Sequence, residues 1–229
     1  MSNQTASLTW RDTDTGRVPI SDRFDDPYYS LNDGLAETHH VFINGNNLPD
    51  RFGNALRIAE LGFGTGLNLL ATWDAWQKAQ GKAVHFTSFE AYPMAPADMA
   101  TALAHFPQLA ALTDRFLAKW HGQSGPVQLA KGFTCEVITG DARITVPAWQ
   151  GTADAWYLDG FSPAKNPALW EPDLLASVGA HTAANGTAAT YSAAGHVRQS
   201  LTAAGFDVQR VAGFGRKRHM TVARRTDAK

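Results

Sequence analysis

The stretch Glu60-Leu61-Gly62-Phe63-Gly64-Thr65-Gly66 constrains this chain more than any other. It follows a short apolar run, Leu56-Arg57-Ile58-Ala59-Glu60-Leu61. It precedes a segment from Leu67 to Ala79 with Leu70, Trp73 and Trp76 at helical spacing. A buried strand is therefore expected to feed a helix through a turn with glycine at alternate positions. Lacking Cβ atoms, such a turn folds sharply and lets a ligand approach the backbone. The dinucleotide fingerprint G-x-G-x-x-G sets a pyrophosphate at the helix N-terminus. Here the spacing is G-x-G-x-G, and Leu67 occupies the place of the third glycine. A ligand without phosphate suits this turn, as when the methionine part of S-adenosylmethionine lies along the loop. Gly62, Gly64 and Gly66 are thus expected cofactor-binding residues. Glu60, at the strand end, is expected to organise the loop or to reach the ligand's ammonium through water.

The rest of the chain repeats the alternation. Val84-His85-Phe86-Thr87-Ser88-Phe89 reads as a second strand, and residues 96–120 as a helical region broken at Pro107. Val127-Gln128-Leu129 and Phe133 to Ile138 suit a hairpin or two short strands. Ala155-Trp156-Tyr157-Leu158 and Thr187-Ala188-Ala189-Thr190-Tyr191 are further strands, and residues 193–204 a helix ended by Gly205. The closing runs Phe206 to Val211 and Met220 to Ala223 have no helix between them, so the last strand should enter the sheet antiparallel. The expected fold is α/β: a Rossmann-like S-adenosylmethionine-dependent methyltransferase with a mostly parallel sheet. Residues 1–55 show little periodicity and read as an N-terminal extension packing on a 56–229 methyltransferase domain. Within it, Phe24-Asp25-Asp26-Pro27-Tyr28-Tyr29 and Asn32-Asp33-Gly34 suggest turns with exposed aromatics. Val41-Phe42-Ile43 before Asn44-Gly45-Asn46 suggests a short strand and a tight turn.

Composition excludes several classes. The formal net charge of the 229 residues is −1, so any contact with nucleic acid must rest on local positive charge. The single cysteine, Cys135, reads as a small buried residue, and no Cys/His spacing suggests a metal site. No apolar run reaches the ~20 residues of a membrane span, and the Met-Ser-Asn-Gln-Thr start is polar. No membrane association and a cytoplasmic location are the expectations.

Three further acids stand at strand ends. Glu90, after Phe89, is placed to accept the two ribose hydroxyls of a nucleoside, although an acid there also fits NAD. Asp141, in Gly140-Asp141-Ala142, is placed to meet an adenine amino group or to cap a helix, and one residue can do both. Asp159 ends the strand that opens Asp159-Gly160-Phe161-Ser162-Pro163-Ala164-Lys165-Asn166-Pro167. It should face the transferable methyl group as a cofactor-site and catalytic residue. An amine acceptor must expose its lone pair, and a carboxylate suits removal of its proton. Phe161 is expected to flank the acceptor or the cationic methyl through its ring face.

At these motifs the sequence resembles a known family. Glu60 to Asn68 and Trp156 to Pro167 are similar to the methyltransferase domain of the tRNA 5-methylaminomethyl-2-thiouridine biosynthesis proteins (MnmC type, or free-standing MnmD). Phe24 to Tyr29, Asn32 to Thr38 and Gly213 to Met220 fit the same pattern. The resemblance implies a substrate: the 5-aminomethyl group of 2-thiouridine at the tRNA wobble position, with the residue matching Asp159 receiving the amine's proton. It also implies an upstream FAD-dependent oxidase, whose fingerprint the sequence lacks, so no FAD is expected here. Arg210, Arg216, Lys217, Arg218, His219, Arg224 and Arg225 cluster near the C-terminus as candidate phosphate contacts or as a solvated hairpin. Tyr28 and Tyr29 are candidates to stack on an extruded base. The competing readings are a methyltransferase for a small-molecule amine, an NAD-binding oxidoreductase, disfavoured by Leu67, and a non-catalytic partner subunit of a tRNA enzyme.

Overall fold

The computed structural model describes residues 5–13, 16–31 and 33–226. Asn32 of the expected turn and the Met-Ser-Asn-Gln start lie outside the described residues. The N-terminal segment contains more order than its weak periodicity suggested: β1 (Leu8–Thr13), β2 (Gly16–Ser21) and β3 (Asp26–Pro27) form a small antiparallel sheet. Two short helices follow, α1 (Gly34–Thr38) and α2 (Leu48–Arg51). The main body then runs β4 (Leu56–Leu61), α3 (Leu67–Lys78), β5 (Val84–Glu90), α4 (Pro96–Leu103), α5 (Ala110–Leu117), β6 (Val127–Ala130) and β7 (Phe133–Thr139). It continues with α6 (Ala142–Ala148), β8 (Ala153–Leu158), α7 (Pro172–Ala180), β9 (Thr182–Thr190), α8 (Gly195–Ala203), β10 (Phe206–Ala212) and β11 (His219–Arg225).

The large sheet has eight strands in the order β10-β11-β9-β8-β4-β5-β7-β6. β4 pairs in parallel with β5 and β8, as do β5 with β7 and β8 with β9. β11 runs antiparallel between β9 and β10, and β6 returns antiparallel on β7. The closing hairpin and the mixed sheet therefore follow the sequence pattern. The chain builds outward from β4 through β5 to β7, then crosses back to β8. The carboxyl ends of β4 and β8 thus flank the switch point where open α/β sheets bind ligands.

Residue parity along the strands sorts the core. Ile58, Phe86 and Tyr157 join one buried cluster with residues of α3, α4, α5 and the N-terminal segment. Ala59, Leu61, Phe89, Trp156 and Leu158 join the other, with α6, α7 and α8. Successive strand residues point to opposite faces. Glu60, Ser88, Glu90 and Asp159 share the parity of the first set, so they belong to the α3 face. Cys135 is buried on that face too, and burial pushes its thiol up to about 12.

Two expectations for the N-terminal segment are overturned. His39–Asn44 is a π-helix, not a strand. Val41, Phe42 and Ile43 are buried against the sheet, with the Phe42 ring stacked on Tyr157 at 5.1 Å. A lone strand on a sheet face has no ladder partner for its backbone, whereas a helix satisfies its own groups. Asn46 secures the exit by donating to the carbonyls of Phe42 (2.9 Å) and Trp156 (3.3 Å). The aromatics of the Phe24–Tyr29 segment are also not exposed: Phe24 and Tyr28 are half-buried and Tyr29 is buried.

Candidate active site

A single cleft of about 1010 Å³ opens at the carboxyl edge of the sheet. That is the upper end of the ~300–1,000 Å³ usual for small-molecule sites, with room for a nucleoside-sized ligand and a second reactant. Its wall includes Gly62, Gly64, Glu90, Asp141, Asp159 and Phe161, brought together from four strand ends.

Asn68, in the first turn of α3, is the centre of a hydrogen-bond cluster that the sequence reasoning did not single out. Its Nδ2 donates to Asp159 Oδ2 at 2.6 Å and to Glu60 Oε1 at 2.8 Å. The Thr38 hydroxyl donates to Asn68 Oδ1 at 2.8 Å, which fixes the orientation of the amide. Ser88, the β5 register partner of Glu60, donates to Glu60 Oε2 at 2.6 Å. Glu60 is fully buried and does not line the cleft; burial holds its carboxyl well above the ordinary range. Its position fits the loop-organising alternative rather than direct contact with a ligand. The signal available in the sequence was a polar residue in the otherwise apolar first turn of the helix, Leu67-Asn68-Leu69-Leu70.

Burial likewise pushes the Asp159 carboxyl up to about 7. The Gly160 amide and Asn68 favour its charged form, Glu37 opposes it and Lys217 assists it. Glu90 turns its carboxylate back onto the glycine loop: it accepts from the Gly64 amide at 3.0 Å and the Tyr92 amide at 2.7 Å. Burial still raises its pKa overall. Asp141 is in a contrasting setting. It caps α6 by accepting from the Arg143 amide at 2.9 Å, and Arg143 Nη2 pairs with it at 2.6 Å. That guanidinium holds its carboxyl below the usual value.

The glycines divide by task. Gly64 has φ +54°, and a Cβ there would lie 3.1 Å from the Tyr28 ring, inside the cleft. Gly62, at φ +82°, lets the loop approach Gly160, whose Cα would lie 3.0 Å from an added Cβ. An added Cβ on Gly66 would meet Met99, Phe63 and Phe116, so this glycine serves packing and does not line the cleft.

Phe161 belongs to an aromatic wall, stacked on Phe24 at 4.8 Å and edge-on to Tyr28 at 5.0 Å. The N-terminal segment also holds the backbone of this loop: Asp26 accepts from the Ser162 amide at 3.0 Å, and Lys165 pairs with Asp25 at 2.5 Å. Tyr28 and Tyr29 both line the cleft, but Tyr29 is the more buried of the two. Its ring packs edge-on against Phe106 and is buried, and its hydroxyl donates to the carbonyl of Ala102 (3.0 Å), with that of Arg17 at 3.3 Å. The basic cluster is also divided. Arg224 is held by Asn185 and Arg225 by the carbonyl of Ala204. Lys217 turns into the cleft, while Arg216 and Arg218 are exposed. Tyr191, Glu37 and Lys217 line the cleft together, a grouping no local pattern announces.

Among the described residues no group of three or more His, Cys, Asp or Glu side chains could hold a metal ion, and no helix is long and apolar enough to cross a membrane.

A family model described as S-adenosyl-L-methionine-dependent methyltransferase matches residues 106–226. Two curated relatives are each the tRNA 5-methylaminomethyl-2-thiouridine biosynthesis bifunctional protein MnmC, from Caulobacter vibrioides and from Caulobacter sp. strain K31. Both are 42% identical to this chain, over 225 and 238 residues. The matches cover 92% and 95% of this chain, but it spans only 36% and 38% of those relatives. Among solved structures, MNMC2 from Aquifex aeolicus is similar at 25% identity with a TM-score of 0.76, covering 98% of this chain and 73% of that one. A methyltransferase from Pyrococcus furiosus, 11% identical with a TM-score of 0.52 over 86% of this chain and 85% of its own, shares the fold.

Proposed function

The chain belongs to the S-adenosyl-L-methionine-dependent methyltransferase family, and from that premise we propose that it methylates the amine of 5-aminomethyl-2-thiouridine at the wobble position of tRNA, giving 5-methylaminomethyl-2-thiouridine. The 42% identity to proteins named for biosynthesis of that nucleoside supports the substrate. The observation that carries the reading is Asp159, a carboxylate with a pKa raised to about 7 at the switch point of the sheet.

The residues present fit the cofactor. Gly64 leaves open a cradle that a Cβ would fill, and the Glu90 carboxylate beside it has lone pairs for ribose hydroxyls. Gly62 keeps the loop close to Gly160, and Gly66 and Glu60 hold its shape from beneath. Asp141 reaches the same cleft and completes the set toward adenine. When bound, S-adenosylmethionine supplies an electrophilic methyl group on a sulfonium. The work of the chain is to orient an amine in line with it and take a proton. An alkylammonium, with a pKa near that of lysine at ~10.4, has no lone pair to offer at neutral pH. A carboxylate poised near 7 is a stronger base than an ordinary aspartate and remains substantially ionised. Asn68 donates to its Oδ2, the Gly160 amide also favours the charged form, and the carboxylate stands on the wall of the cleft where an acceptor would sit. Phe161, fixed by Phe24 and Tyr28, closes one side of the cleft with apolar rings.

Arg216 and Arg218 are the phosphate contacts within this reading, and Tyr28, beside Gly64 on the cleft wall, is the candidate to stack on a base. An FAD-dependent oxidase would act upstream to supply the free amine, consistent with relatives named bifunctional. Residues 1–55 are taken as an extension of the methyltransferase unit, because Asp25 and Asp26 hold the Asp159 loop. A cytoplasmic location goes with a tRNA substrate. The test is calorimetry with S-adenosylhomocysteine, followed by methyl transfer to tRNA lacking only this methyl group. Binding with transfer to that tRNA is expected. Binding with transfer only to free small amines would overturn the substrate, and no binding would overturn the cofactor site.

A further inference from the structure

On the wall of the cleft, one charged group is already seated. The Lys217 ammonium lies 2.8 Å from Glu37 Oε1 and 4.2 Å from the centroid of the Tyr191 ring. Its partners are well held. The Glu37 side chain is only 13% exposed, on α1, whose N-terminus is capped by Asp33 donating no proton but accepting from the Ala36 amide at 2.9 Å. The Tyr191 hydroxyl donates to the carbonyl of Gly160 at 2.8 Å, which locks the ring beside the Asp159 loop. Trp170 meets that ring edge-on at 6.3 Å. Glu37, Tyr191, Asp159 and Lys217 all line the one cleft.

We propose that Glu37, the face of Tyr191 and Asp159 form a seat for an alkylammonium group, which Lys217 fills from within the chain until the methyl acceptor replaces it. The inference rests on the amine-acceptor reading of the cleft. The chemistry of the occupant carries it. A lysine side chain ends in a methylene bearing an ammonium, the same group that an aminomethyl substituent presents. A carboxylate takes its N–H donors, and an aromatic face attracts its charge; both interactions strengthen as water is excluded. Lys217 is a removable occupant, since its side chain is 45% exposed and enters from the turn between β10 and β11. A neutral or carboxylate-bearing group that displaced Lys217 would leave Glu37 without the cation it now pairs with. The seat therefore selects a free amine, and Glu37 and Tyr191 are its specificity-determining residues.

The experiment uses n-propylammonium as probe, with n-propanol and propionate as controls. Ligand-observed NMR titrations are run on the full chain, on Lys217→Met and on Lys217→Met/Glu37→Gln. Lys217→Ala serves as a second single variant should the methionine side chain perturb folding. The expected result is propylammonium binding at least about tenfold tighter in the single variant than in the wild type. The gain should disappear when Glu37→Gln is added, and neither control should bind. Equal binding by wild type and both single variants overturns the seat, as does a gain that survives Glu37→Gln or is shared by propanol. The probe needs no RNA. Seat binding without tRNA methylation would sink the tRNA substrate and leave the seat standing, and tRNA methylation without seat binding would do the reverse.

Discussion

Asp159 and Asp141 leave the same edge of the same sheet, yet their surroundings give them opposite properties. Asp159 follows β8 to a half-buried position on the cleft wall, where the Asn68 side chain is a neutral partner and desolvation raises its carboxyl to about 7. Asp141 follows β7 to a helix N-terminus, where Arg143 neutralises it and lowers its pKa. Both line the cleft. Position at the carboxyl edge makes an acid available to a ligand, but its partners decide whether it can move a proton. An acid satisfied by a guanidinium and a backbone amide is a fixed point of the structure. An acid whose partners are a neutral side-chain amide and a backbone N–H keeps a raised pKa, the property that moving a proton near neutral pH requires.

The contrast is most open to breakage at the proton. Asp159→Asn keeps the size and loses the charge, so single-turnover methyl transfer should fall by about 10²-fold or more, the scale of general-base removal. Cofactor binding should be nearly unchanged, and raising the pH should partly restore the rate by supplying deprotonated amine. Asp141→Asn retains a capping oxygen and should cost less than about tenfold in the same assay. Equal losses in the two variants would erase the distinction. The folded protein favours protonated Asp159, so the stability this contributes is complete below the ordinary value of 3.8 and is lost as pH rises through about 7. Asp159→Asn should therefore raise Tm at pH 8 but not at pH 4.

Cofactor binding should separate from proton transfer at Gly64. At φ +54°, with the Tyr28 ring 3.1 Å from any Cβ, Gly64→Val should weaken S-adenosylhomocysteine binding at least about tenfold, or ~1.4 kcal/mol. Wild-type affinity in a folded variant, measured by calorimetry, would remove the loop from the cofactor site.

A smaller effect is expected from Asn68→Leu. Loss of the amide removes a donor that favours charged Asp159, so the acid limb of the pH–rate profile, near 7 in the wild type, should move upward. The rate at pH 7 should fall several-fold and recover at pH 9. A loss that is the same at every pH would reduce Asn68 to a structural part. The smallest expected effect is at the other acid: Asp141→Ala removes a helix cap worth about 1 kcal/mol and should lower Tm by roughly 2–4 °C. A larger loss of methyl transfer than of stability would give Asp141 a role beyond capping.

The residues by themselves determined the strand–turn–helix at Gly62 to Gly66, the closing antiparallel hairpin and the placing of Glu60, Glu90 and Asp159 at strand ends. These follow from local sterics and from a side-chain period of two, which need no knowledge of distant chain. The π-helix at His39–Asn44 was not legible, because its β-branched and aromatic residues suit a strand until the sheet face beneath them offers no ladder. Only the tertiary structure decided which acid has its pKa raised and which has it lowered. Asn68 meets Asp159 across 91 positions, and Lys217 meets Glu37 across 180. A carboxylate's pKa is set by burial and by charges within a few ångströms, and folding chooses those neighbours from remote parts of the chain.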